Sequence, residues 1–212
     1  MFKNRRDAGF QLAQELQKHV TTRDIVILGI ARGGAVVAKE VAQHLNISFD
    51  ILVIRKIGAP QNPELAIGAV GPRKTLFWEQ ELVDSFNLSK KQLHSLASEK
   101  YHEVNVLEKR IRGNKKPLSI TNKTIILVDD GVATGATVLC AEKYLHKQVS
   151  NITLAVPVMA SSTLFDLEKH FNSIIAIKIS PDFHAVGQFY EQFEQVDTRQ
   201  IIEIVRDARK KN

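Results

Sequence analysis

A chain of 212 residues with 44% hydrophobic and 25% charged residues suits one domain of ordinary to large size with a sizeable core. No apolar run approaches the ~20 residues that a membrane helix needs, and the single cysteine, Cys140, excludes an internal disulfide. The net charge of +6 admits nucleic-acid binding or attraction of a polyphosphate. Its basic residues are scattered, with short clusters at Lys115-Lys116 and Arg209-Lys210-Lys211, so a solvated surface is preferred and nucleic acid is not the expected partner.

In chain order, MFKNRRDAGFQLAQEL lacks the apolar core of a signal peptide and reads as an amphipathic helix. With one cysteine and no membrane span, the expected location is the cytoplasm. Five short β-rich apolar runs then mark strands at 25–30, 51–54, 125–128, 152–156 and 174–179, with helical patterns at 34–45, 135–148 and 161–171. Continuous rather than alternating apolar character implies burial on both faces. The expected fold is therefore a single α/β domain: an open, mainly parallel five-stranded sheet with flanking helices, binding ligands at the carboxyl ends of its strands.

Two regions interrupt the alternation. Residues 57–78, with three glycines and three prolines, read as a mobile loop or loose hairpin that begins where the second strand ends. Residues 89–112 form a long amphipathic helix. Ser89 and Gln92 make a capping box, Leu93, Leu96, Val104, Leu107 and Ile111 line one face, and Gly113 stops it. Packing against the domain is its first role and a dimer seam the second; a homodimer is the expected assembly.

The chemistry gathers after the third strand, in TIILVDDGVATGAT. Asp129 and Asp130 stand at the end of a buried run, where two adjacent carboxylates repel and are partly shielded from water. They could simply cap a helix, but capping does not require the small-and-hydroxyl loop Gly131, Val132, Ala133, Thr134, Gly135, Ala136 and Thr137. Glycines let backbone amides approach an anion, and a helix starting near Gly135 favours a phosphate at its N-terminus. No lysine follows, so the triphosphatase loop pattern is absent. Carboxylates accept hydrogen bonds without donating, which suits a vicinal diol. The combination points to a ribose 5-phosphate site.

Residues 128–137 resemble the phosphoribosyl-pyrophosphate (PRPP) motif of type I phosphoribosyltransferases. The resemblance implies that Asp129 and Asp130 contact the ribose hydroxyls and that residues 131–137 hold the 5-phosphate. Gly131 stands where a branched aliphatic residue is usual. The segment from Leu28 to Gly34 is similar to the family's pyrophosphate loop, which implies a cis peptide between Ala31 and Arg32 and diphosphate contacts from Arg32, Gly33 and Gly34; an ordinary strand–helix turn is the alternative for the glycine pair. Arg55 and Lys56 form a basic pair ending the second strand, and the family sets such a lysine against pyrophosphate; Arg55 is a candidate substrate contact beside it.

By the same resemblance, 57–78 is a flexible loop closing over PRPP to exclude water. Glu64 is the loop's single carboxylate and the candidate general acid or base, with a solvated glutamate as the alternative. Relatives acting on 6-oxopurines carry a third acid where Ala133 stands, which argues against such an acceptor. A hood from about 1–20 and 180–212 would select the acceptor base. Phe183, His184, Phe189 and Tyr190 are candidates to stack on a planar ring, or to form a small satellite core; Arg5, Arg6 and Phe10 would complete the hood.

The pattern covers nearly the whole chain and is most similar to a bacterial subgroup of predicted phosphoribosyltransferases. It implies a Mg²⁺-dependent transfer from PRPP to a nitrogen base, with the metal held mainly by the substrate near Asp129 and Asp130. The alternative is a non-catalytic regulatory protein of the same fold that senses PRPP or a nucleotide.

Overall fold

In the computed structural model the described residues are 1–20 and 24–208, and of Glu64 the backbone alone is described. Helix α1 (Arg5–Leu16) starts at an N-cap, Asn4, whose side chain accepts from the amides of Arg6 and Asp7. Strand β1 (Ile25–Ala31) is buried at every position and runs into α2 (Gly33–Leu45), which ends where Asn46 turns left-handed. Strand β2 (Ser48–Val53) follows. After it the chain builds a separate antiparallel sheet from β3 (Arg55–Ala59), β4 (Asn62–Val70) and β5 (Leu76–Trp78). A short helix α3 (Gln80–Ser85) leads to the long α4 (Lys90–Arg112), β6 (Thr124–Val128), α5 (Ala136–Leu145) and β7 (Ile152–Ala160). Helix α6 (Ser161–Leu167), β8 (Ser173–Ser180) and α7 (Thr198–Ala208) complete the chain.

The main sheet has the order β2-β1-β6-β7-β8, and each pairing in it is parallel. Helices α1, α2 and α7 share one buried face of the sheet with the apolar side of α4, while α5 and α6 cover the other. Burial on both faces accounts for the unbroken apolar runs. Among the described residues no helix is long and apolar enough to cross a membrane.

Several differences from the sequence reading have local causes. Strand β7 continues through Pro157 to Ala160, because β6 has already ended and the ladder on that side resumes at Val132, paired with Met159; the proline's missing donor falls in the gap. Helix α5 stops at Leu145 because Gln148 and Val149 both donate to the Leu145 carbonyl, closing the chain as a tight turn. The segment expected as a loose hairpin is a three-stranded meander with Ile57, Ile67, Ala69 and Val70 in the core. Helix α4 has the expected reciprocal cap between Ser89 and Gln92. Its apolar face is already covered by α7, β3 and β4, which leaves the packing role for that face. Cys140 is wholly buried, its thiol 3.5 Å from the Thr75 carbonyl, and burial pushes it up to about 12.

Candidate active site at the carboxyl ends of the strands

Strand β6 delivers Asp129 and Asp130 at its carboxyl end. Asp129 is 8% exposed, and its Oδ1 accepts the Asp130 amide at 2.9 Å. Burial raises the Asp129 carboxyl well above its usual range; the neighbouring charge of Asp130 raises it further, and the field of Lys56 partly offsets both. The following loop is tied down at one point, where Val132 exchanges hydrogen bonds with Val158 and Ala160 on β7. Gly135 then turns at φ +81°, a conformation glycine adopts without strain, and α5 begins. The first-turn amides of α5, without intrahelical partners, stand with the exposed Thr134 and half-buried Thr137 directly after the acids in the chain.

The β1–α2 turn packs directly on the acid pair. A Cβ on Gly33 would lie 1.9 Å from Asp130 Oδ2, and one on Gly34 would lie 2.7 Å from both the Asp129 Cα and its Oδ1. These glycines are needed for the close approach of two loops, beyond any role in an ordinary turn. The peptide bond between Ala31 and Arg32 is cis. Arg32 is near enough to Arg55 for the two cations to oppose one another, since burial first and Arg32 second lower the Arg55 guanidinium, against the pull of Glu103. Arg55 Nε is buried with no hydrogen-bond partner and lies 3.6 Å from Glu103. Lys56, the next residue, is exposed. The loops after β1 and β6 and the basic pair opening β3 therefore meet at the carboxyl end of the sheet.

The two segments expected to form a hood are joined at their ends by backbone hydrogen bonds. Residues 2 and 3 are stitched to 189–192: Phe2 donates to the Phe189 carbonyl, Glu191 to that of Phe2 and Gln192 to that of Lys3. Phe189 and Tyr190 are buried with Phe2, Ala8 and Val158 in a satellite core. This is the satellite core that the sequence offers as the alternative to ring stacking for Phe189 and Tyr190, and Lys178 lies 5.2 Å over the Phe189 ring. Phe183 is half-buried against Phe189, 5.1 Å between centroids. The Tyr190 hydroxyl donates to the Asp130 carbonyl at 2.5 Å, and burial moves it strongly upward. Helix α7 packs on α2, α4 and β2, away from the hood, and residues 209–212 lie outside the described residues.

Of the N-terminal candidates, Arg5 reaches the site, whereas Arg6 points to Glu40 at 3.9 Å and Phe10 packs edge-on against His44. Gly131, where a side chain is usual, leaves room that Val186 fills: a Cβ there would lie 2.6 Å from Val186 Cγ1. The partner of Asp130 and the role of Val186 are not readable from sequence, since both depend on contacts between distant segments. Glu64 lies on β4, and its side chain is outside the described residues.

A parallel α/β sheet with a glycine loop, a basic pair and an acid pair at its strand ends, plus a small antiparallel sheet, is the phosphoribosyltransferase fold. The chain belongs to the phosphoribosyl transferase domain family, whose model matches residues 3–194. It is 32% identical over 203 residues to the Mycobacterium tuberculosis protein named "Putative phosphoribosyl transferase Rv0571c", a match over 95% of this chain and 46% of that protein. The same figures hold for the corresponding protein of a second M. tuberculosis strain. The chain thus spans about half the length of these curated relatives. Among solved structures, TT1426 from Thermus thermophilus is similar at a TM-score of 0.78 and 32% identity, over 97% of this chain and 98% of that one.

Proposed function

We propose that the protein transfers the 5-phosphoribosyl group of PRPP to a nitrogen atom of a small planar base and releases pyrophosphate. The observation that carries this reading is the close packing of Gly33 and Gly34 on Asp129 and Asp130, which sets the turn that carries Arg32 against the acid pair. Asp129 and Asp130 accept the ribose hydroxyls, and residues 131–137 donate to the 5-phosphate. Arg32, Lys56 and the unpartnered Nε of Arg55 take the diphosphate, whose charge relieves the repulsion between the two guanidinium groups.

In the reaction, the acceptor nitrogen lone pair forms a bond to C1 with inversion. The C1–O bond breaks, and its electron pair leaves on pyrophosphate. The chain's part is to hold PRPP, stabilise the leaving charge and exclude water, the last by the meander of β3, β4 and β5. With Ala133 beside the acids, help in moving the acceptor's proton comes from elsewhere, Glu64 being the candidate.

Among the described residues no group of three or more acidic, histidine or cysteine side chains could hold a metal. Mg²⁺ would arrive on the substrate's own oxygens near Asp129 and Asp130, where it would neutralise diphosphate charge. The test has two parts. Calorimetry with PRPP and Mg²⁺ is expected to show binding to the native protein and none to the combined Asp129→Asn and Asp130→Asn variant, with the fold unchanged by circular dichroism. PRPP consumption across a panel of bases is expected to depend on one of them. Tight binding with slow, base-independent loss would replace transfer by sensing, and unchanged affinity in the double variant would remove the site.

A further inference from the structure

Arg5 is an odd residue for its position. It opens α1, where the helix dipole disfavours a cation, and the cap there is supplied by Asn4. Yet its side chain is 11% exposed and engaged at two of its nitrogens and its π face. Nε donates to Asp130 Oδ2 at 2.7 Å, Nη1 donates to the Glu194 carbonyl at 2.6 Å, and the guanidinium lies 3.8 Å over the Phe193 ring. A planar guanidinium bonded at two atoms and stacked on a ring has one orientation, unlike a lysine. Asp130 is therefore gripped twice from the hood: its carboxylate by Arg5, its carbonyl by Tyr190. The bare Gly33 opposite leaves the carboxylate the room in which Arg5 holds it.

We infer that Arg5 is a positioning residue for sugar recognition: it fixes the Asp130 carboxylate toward the ribose hydroxyls, so that the ribose subsite is complete when the N-terminal segment and residues 189–194 are joined. The inference rests on the phosphoribosyl reading above and adds to it a residue 125 positions away from the acid it serves. Phe193, whose ring faces the Arg5 plane, belongs to the same device. The hood thereby acts on the sugar as well as on the acceptor. A partly buried ion pair costs desolvation that a solvated arginine would avoid, and the orientation it gives the Asp130 carboxylate offsets that cost.

The test compares ribose 5-phosphate with 2,3-dideoxyribose 5-phosphate by calorimetry. The phosphate cradle sees both alike, whereas the acid pair distinguishes them. Arg5→Gln is expected to weaken ribose 5-phosphate ~10- to 100-fold, with less than about a twofold change for the dideoxy sugar, which offers the carboxylate no hydroxyl. Arg5→Lys, which restores charge without the stack, is expected to recover part of the discrimination. Phe193→Leu keeps Arg5 and is expected to show a smaller loss of the same kind, which serves if Arg5→Gln does not fold. Equal weakening of both sugars in these variants, or full retention of the preference, overturns the inference. A native protein that binds neither sugar overturns the phosphoribosyl reading, and this inference with it.

Discussion

Two aspartates sit almost equally deep, Asp50 at 5% exposure on β2 and Asp129 at 8% at the end of β6, and their surroundings differ completely. Both oxygens of Asp50 receive Arg112 Nη1, at 2.7 and 2.9 Å, and the amides of Ile51 and Leu118 complete the set. Arg112 also donates to the Ile51 carbonyl and to Glu108. Burial works against the Arg112 charge, but Asp50 and Glu108 outweigh it and hold the guanidinium above its usual range. Asp129 has one amide donor from its own neighbour, and burial with the Asp130 charge pushes it upward. The first acid is satisfied by the fold and pins the end of α4 to the sheet. The second receives a single donor from its own backbone neighbour, which fits the ligand-binding role we propose for it.

The largest expected effect breaks the satisfied acid. Arg112→Met would leave Asp50 buried without a cation and is expected to cost ~3–5 kcal/mol in urea unfolding. Replacing both partners, Asp50→Leu with Arg112→Met, removes the charge as well as its partner and is expected to recover most of that loss. A single variant that melts like the native protein would show that the pair contributes little.

Next in size is the packing of the glycine turn on Asp129. Gly34→Ala places a methyl 2.7 Å from the Asp129 Cα and 2.8 Å from the Val128 carbonyl, backbone atoms that cannot swing aside. The expected cost is ~1–3 kcal/mol, accompanied by loss of PRPP binding because the turn and the acid pair separate. A stable variant with intact binding would show that the two loops tolerate a wider gap.

The same two acids mark what is legible in the sequence. Continuous apolar runs, the capping box at Ser89 and the small loop after Asp130 are local patterns, and local patterns fix strands, helix starts and the place of the acids. Read locally, the second strand begins at Ile51, because a carboxylate in an apolar run looks like a boundary. The strand extends to Ser48 because Arg112, 62 residues away, neutralises Asp50. The sequence leaves Phe189 and Tyr190 open between ring stacking and a satellite core for the same reason: the residue that buries them, Phe2, comes from the other end of the chain.

The smallest expected effect sharpens the comparison by sign. The folded-state Asp129 carboxyl is raised, so between its ordinary value near 4 and that raised value the native state binds a proton that the unfolded chain has already lost. Stability from this group is present at acid pH and is lost as pH climbs through that window. Asp129→Asn removes the ionisation while keeping an oxygen to accept the Asp130 amide. The variant is therefore expected to melt above the native protein at neutral pH, with the gap closing toward about pH 4. Asp50→Asn is expected to melt lower, because it discards a carboxylate that four donor contacts stabilise. Melting curves of both variants from about pH 4 to pH 8 decide the matter, and a destabilised Asp129→Asn at neutral pH would mean that its carboxylate, like that of Asp50, serves the fold.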